Sequence, residues 1–158
     1  MLDSDNCAFI QTGVSISLAA CRPDRLPSMS RGMGCKVLDD GKRVGVFVKS
    51  SQSTDLLESI RSNGKVANVF SLPSTNRTLQ LKGDDARVLP FDPDDLPLVD
   101  AHVSDFLLEV IPLGLPEDVV RMLFSYTVDD LVTVIYSPCA AFSQTPGPKA
   151  GAPLKGGA

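Results

Sequence analysis

The chain has 158 residues, 43% apolar and 22% charged, with a formal net charge of −4. That length suits one domain able to bury roughly two-thirds of its unfolded surface, and the balance is that of a globular protein, not a disordered or fibrous one. The negative charge offers no basic field for nucleic acid or an anionic membrane, so an anionic ligand must be held by local donors.

The chain starts acidic, with Asp3 and Asp5 ahead of Cys7, and lacks the basic-then-apolar order of a secretory signal. The longest apolar runs, residues 14–21 and 131–136, are too short to cross a bilayer. A cytosolic protein without membrane contact is expected. Cys7, Cys21, Cys35 and Cys139 form no C-x-x-C pair, so no metal site is expected. They read as reduced thiols acting as small buried hydrophobes; a Cys21–Cys35 bridge across a hairpin is the alternative.

Val14, Ile16, Leu18 and Ala20 alternate with Ser15, Ser17, Ala19 and Cys21, the period of a half-buried strand. Arg22-Pro23-Asp24-Arg25 supplies turn chemistry. Residues 27–38 form a second extended run, with Gly32 and Gly34 on one face with Ser28 and Ser30. Glycine inside a strand often marks close approach of another backbone or a ligand. After the Asp39-Asp40-Gly41 turn, Val44, Val46 and Val48 define a third strand.

A hydroxyl-rich loop, Ser50-Ser51-Gln52-Ser53-Thr54, leads into a helix over residues 55–62 that Asn63-Gly64 terminates. Strands follow at 66–72 and 78–82, and Gly83 bends the second toward 86–89. Asp92 and Pro93 suit a helix start, and Leu96, Val99, Val103, Phe106, Leu107 and Val110 make one apolar stripe. A shorter helix runs from Pro116 to about Phe124, and a last strand occupies 128–136. The order predicts a mainly β fold. It is an antiparallel β-barrel with flanking helices, six or seven strands and about three helices. A single domain spans 1–158, with a Pro/Gly-rich tail from about residue 143.

No G-x-G-x-x-G, P-loop or G-x-S-x-G motif is present. His102, the only histidine, reads as a helix-surface or partly buried residue, and Asp129-Asp130 and the other paired acids as solvated turns and caps. The informative stretch is residues 49–54, between a strand end and a helix start. Unsatisfied N–H groups and the helix dipole favour an anion there. Serine hydroxyls add donors and Lys49 adds charge. The plain alternative is an N-cap with a serine loop. Ser53 suits either role, and Lys49 has no evident structural duty.

Three stretches together resemble the pyridoxamine 5′-phosphate oxidase-like FMN-binding split-barrel superfamily: LPSMSRG at 26–32, FVKSSQS at 47–53 followed by the helix and SNGKVANVFSLP, and RTLQLKG at 77–83. The match in order and spacing covers about residues 8–90, and the FSQTPGPKAG tail is similar to that of small superfamily members. The resemblance implies a split barrel that binds FMN at the interface of a homodimer. Arg31, Lys49, Ser50, Ser51 and Ser53 then lie at the phosphate end, Gly32 where the backbone approaches the flavin ring, and Arg77 and Thr78 on the strand approaching the cofactor. The basic residues that follow the loop serine in the superfamily are Thr54 and Asp55 here, and the oxidase's C-terminal arginine-histidine motif is missing, which argues against pyridoxamine phosphate oxidation. The implied function is an FMN-dependent oxidoreductase acting on a small molecule, with NAD(P)H as candidate reductant. The alternatives are a non-catalytic flavin- or haem-binding protein in stress response or cofactor handling, and a split barrel using a deazaflavin.

Overall fold

The computed structural model describes residues 2–22, 24 and 26–154. The elements in chain order are α1 (Ser4–Ile10), β1 (Ser15–Cys21), β2 (Pro27–Leu38), β3 (Arg43–Lys49), α2 (Thr54–Asn63), β4 (Val66–Ser71), β5 (Thr78–Gly83), β6 (Arg87–Pro90), α3 (Leu96–Val110), α4 (Glu117–Leu123), β7 (Leu131–Tyr136), β8 (Ala140–Ser143) and β9 (Ala152–Pro153). The nine strands form one antiparallel sheet in the order β6-β7-β3-β2-β1-β4-β5-β8-β9. Strands and helices both exceed the expected counts, and the sheet is open, because β6 and β9 do not pair to close it.

β2 is the pivot. Its first half pairs with β1 and its second half with β3, and the register shifts between Gly32 and Cys35. A bulge bends a strand and increases its twist, so the two arms of the sheet curl toward each other. Side chains bridge the arms: Asn68 Nδ2 on β4 donates to Tyr136 Oη on β7 at 3.2 Å. At Gly83 a Cβ would stand 2.6 Å from the Tyr136 ring, so a glycine is needed where β5 meets β7.

The curled sheet encloses one core. Alternate residues Ile16 and Leu18 of β1, Val46 and Val48 of β3, Phe70 of β4, Leu81 of β5 and Val134 of β7 point into it. Leu56, Leu57 and Ile60 of α2 close it. Each such side chain contributes roughly 1.5–3 kcal/mol when fully buried. A second core lies on the outer side of β2 and β3, where Met33 and Phe47 pack under Val99, Phe106 and Leu107 of α3 and Val120 of α4. β3 is thus covered on both faces, which accounts for its nearly unbroken apolar run.

Several expectations need correction. α1 carries no long apolar stripe and was not anticipated; Asp3 caps it by accepting from Asn6 N at 2.7 Å. Part of the expected tail is sheet, since β8 adds to β5 and β9 to β8. The 128–130 stretch is a 3-10 turn ahead of β7. All four cysteines are free; only Cys35 is buried, while Cys21 and Cys139 are exposed, so neither the bridge nor the buried reading of all four holds. No helix among the described residues is long and apolar enough to cross a membrane.

Candidate anion-binding site

β3 ends at Lys49, and a 3-10 turn over Ser50–Gln52 hands the chain to Ser53 and α2. Because Lys49 pairs with Leu131, the antiparallel register sets Asp130 beside this turn. The Asp130 carboxylate accepts from Ser50 Oγ at 2.8 Å, Ser51 N at 2.8 Å and Ser51 Oγ at 2.6 Å. The Ser51 hydroxyl above all, with the other donors and the Lys49 charge, holds its carboxyl below the usual range. Asp130 is therefore no freely solvated turn acid; it sits where an external anion was expected.

Lys49 has the structural duty that the sequence did not reveal. It is 8% exposed, and its Nζ donates to Ser125 O at 3.0 Å and Leu123 O at 3.4 Å. The Arg31 guanidinium lies 5.7 Å from the Phe124 ring centroid. Both basic residues thus grip the C-terminal end of α4, where carbonyls lack helical partners.

Ser53 is different. It stands at the N-cap position of α2, yet its side chain makes no cap hydrogen bond. It is 3% exposed and its Oγ has no partner. Ser53 lines a cleft of about 380 Å³ with Ser28, Met29, Ser30, Ser51, Thr54 and Asp55. The unsatisfied N–H groups of α2's first turn belong to this place. An orphaned buried hydroxyl beside a helix N-terminus in a hydroxyl-lined cleft fits a phosphate group.

The remaining expected residues are spread along the sheet. Ser17 of β1 faces Arg31, and the Ser15–Ser71–Thr78 row lies at the opposite end of β1 from Cys21 and Pro27, about 20 Å away at strand spacing. Arg77 stacks 4.0 Å from the Phe9 ring centroid and donates to Asn6 Oδ1 at 3.2 Å, so it fastens α1. Thr78 and Ser71 share a hydroxyl contact of 2.9 Å. At Gly32 the place of a Cβ is filled by Ile16, 2.5 Å away, and Gly34, at φ +140°, faces the His102 Cβ and Leu98 O. The close approaches at both glycines are made by the chain itself.

His102 is fully inside, not on the helix surface: it is 4% exposed, lies 5.7 Å from Phe124 and leaves Nε2 without a partner. Desolvation pushes its pKa down to about 4, opposed by a hydrogen bond with the Thr12 backbone and assisted by Arg31. Its neighbour Ser104 donates to Asp100 O at 2.9 Å, so no Ser-His-Asp unit forms. Among the described residues no cluster of His, Cys, Asp or Glu could hold a metal ion. A second, apolar cleft of about 440 Å³ lies on the outer face of the sheet, over Ala19 and Ala67. Asp130 and His102 were the residues missed. The β3–β7 register is the signal that finds Asp130; His102 is marked by helical spacing, three residues after Val99 and four before Phe106 of the apolar stripe.

No family model matches the chain. No curated protein matches it. Solved structures do. An F420 reductase is similar over 85% of this chain and 93% of its own, with TM-score 0.55 and 21% identity. HupZ of Group A Streptococcus covers 96% and 100%, with TM-score 0.57 and 15% identity. A pyridoxamine 5′-phosphate oxidase candidate from Lactobacillus delbrueckii covers 89% and 93%, with TM-score 0.56 and 15% identity. At these identities the likeness is one of fold: the chain shares the fold of these solved structures.

Proposed function

We propose that this protein binds FMN, as a homodimer, and acts as an FMN-dependent oxidoreductase on a small molecule. The observation that carries the reading is Ser53: a buried hydroxyl without a partner, at the start of a helix, in a cleft lined by hydroxyls. The phosphate sits there, on Ser53 Oγ and the first N–H groups of α2. Ser50 and Ser51 shape the cleft through Asp130, and Lys49 and Arg31 fix the α4 end beside it. Two of the structural neighbours carry the names of redox enzymes, which favours the same class, although fold alone does not specify a reaction. When bound, FMN supplies hydride or single-electron transfer; the protein supplies position, dryness and hydrogen bonds.

The second subunit covers the outer face of β1 and β4. There Ser17, Ala19, Ala67 and Val69 present small, half-buried side chains to solvent, and Ala19 and Ala67 line the apolar cleft that another copy would fill.

Apo-protein titrated with FMN, FAD and riboflavin, read by flavin fluorescence quenching, tests the reading. FMN binds best, since the cleft has donors for one terminal phosphate and no place for adenosine is evident in the sequence. Equal or tighter binding of FAD overturns it. Anaerobic reduction of the bound flavin by NAD(P)H, with turnover on an added acceptor, separates an enzyme from a passive carrier.

A further inference from the structure

Among the described residues the cleft at Ser53 has donors but no cation. Neither a described lysine nor a described arginine lines it, and Asp55 in the first turn of α2 brings it a negative charge. A phosphate monoester is a dianion near neutral pH, and an uncompensated carboxylate beside it is repulsive. The structure brings one guanidinium to that carboxylate. Arg22, at the end of β1, reaches along α2 so that its Nη1 stands 4.0 Å from Asp55 Oδ1, while Nη2 stands 3.4 Å from Asp24 Oδ2. Both contacts are loose, both partners are solvent-exposed, and among the described residues the guanidinium makes no closer hydrogen bond. Such a pair adds little to stability. A guanidinium with its donors unspent and two carboxylates holding it in place can turn toward a ligand without losing a structural bond.

Two further observations make the edge of the cleft a site and not merely a helix end. Ser53 Oγ is buried and unpartnered beside it, and Pro27, the first residue of β2, lines the same cleft as Asp55. We propose that Arg22 is the charge partner of the ligand's phosphate. It moves from Asp55 onto a phosphate monoester held by Ser53 and the α2 N-terminus, and thereby sets the preference for phosphorylated over unphosphorylated ligands. The assignment rests on the proposed placement of the FMN phosphate and adds the residue that neutralises it.

Arg22→Gln removes the charge and keeps the length of the side chain; Arg22→Lys keeps the charge. Flavin fluorescence quenching is read with FMN and with riboflavin, and inorganic phosphate is followed separately by phosphorus NMR line broadening. Arg22→Gln is expected to weaken FMN about ten-fold and riboflavin less than two-fold, with Arg22→Lys recovering most of the loss and melting temperatures unchanged. Asp55→Asn is expected to bind FMN at least as tightly as the parent. If the parent binds FMN and Arg22→Gln binds it equally well, the inference is overturned while the FMN reading stands. If no flavin binds the parent, the FMN reading falls. Broadening of inorganic phosphate by the parent that Arg22→Gln abolishes and Arg22→Lys restores then still supports the anion site; absence of broadening in the parent overturns that as well. Should Arg22→Gln melt early, Asp55→Lys decides: it adds a cation at the exposed start of α2 with Arg22 in place, and tighter FMN with riboflavin unchanged supports a role for charge at this edge, whereas FMN affinity no better than the parent's overturns it.

Discussion

Asp130 binds Ser51 twice, taking its hydroxyl at 2.6 Å and its backbone N–H at 2.8 Å. The carboxylate fastens the turn after β3 to the strand paired with it, β7, and occupies the donors that a bound anion would use. Ser53, two residues on, keeps a buried hydroxyl without a partner.

Asp130→Ala is expected to cost about 1–2 kcal/mol, since it removes charge-assisted hydrogen bonds from a partly exposed site. Because Ser50 and Ser51 are released, the affinity for inorganic phosphate should rise, whereas flavin binding should weaken as the turn loosens. Thermal unfolding with and without phosphate checks this. A variant with unchanged melting temperature and unchanged phosphate response would show that the clamp does nothing.

Lys49 is expected to behave as a structural residue. Lys49→Ala removes a buried ammonium and strands the carbonyls of Leu123 and Ser125, a loss of roughly 2–3 kcal/mol. Riboflavin and FMN should be weakened alike, because the change acts through the position of α4 and not through the phosphate. Urea unfolding and the two titrations test it together; a selective loss of FMN with normal stability would place Lys49 on the phosphate instead.

The proposed dimer face gives a direct test. Ala67 faces Ala19 across β1 and β4 on the outer surface. Ala67→Arg puts a long charged side chain where the second copy would pack, while the inward core is untouched. Light scattering should change from dimer to monomer at micromolar concentration. A parent that is already monomeric with flavin bound removes the dimer from the proposal.

The elements that carry period-two or helical apolar patterns were legible: β1 through β5, α2 and α3 all lie close to where the sequence puts them. α1 was not, because its seven residues are too few to show a stripe and it is held by an Asp3 cap and by Arg77, from the loop before β5 far along the chain. β8 and β9 were not, because their residues, between glycines and prolines, have no pattern of their own and gain order from the β5 edge. At the site, the serine loop and the helix start were legible from local chemistry. Which donors are free was not: that depends on Asp130 and on residues 123–125, brought in by pairing between β3 and β7. Ser53 shows the limit well. Its position at the helix start is correct, but burial and backbone geometry keep its hydroxyl from capping, so Ser53→Ala should cost little stability while weakening FMN.

His102 sets the acid sensitivity of the fold. Its imidazole is buried against Phe106 and Phe124 with Arg31 nearby, and desolvation lowers its pKa to about 4. In the unfolded chain the same group titrates near its ordinary value, about 6.5. Between those values the unfolded chain takes up a proton that the native protein excludes. Native stability therefore falls as the pH drops from about 6.5 toward 4, by up to ~1.4 kcal/mol for each pH unit, and is unaffected by this group at higher pH. Asp130 and Asp85, whose carboxyls are held below their usual range by hydrogen bonds, also favour unfolding in acid. Their contribution begins only near and below the ordinary carboxylate pKa of about 4, so the two windows are separable. Urea unfolding at intervals from pH 7.5 to about 3.5 should show a decline beginning near 6.5. In His102→Gln the decline should start only in the carboxylate window, whatever the variant's stability at neutral pH. An equally steep decline between about 6.5 and 4.5 in both proteins would mean that the histidine is solvated and protonates in the native state.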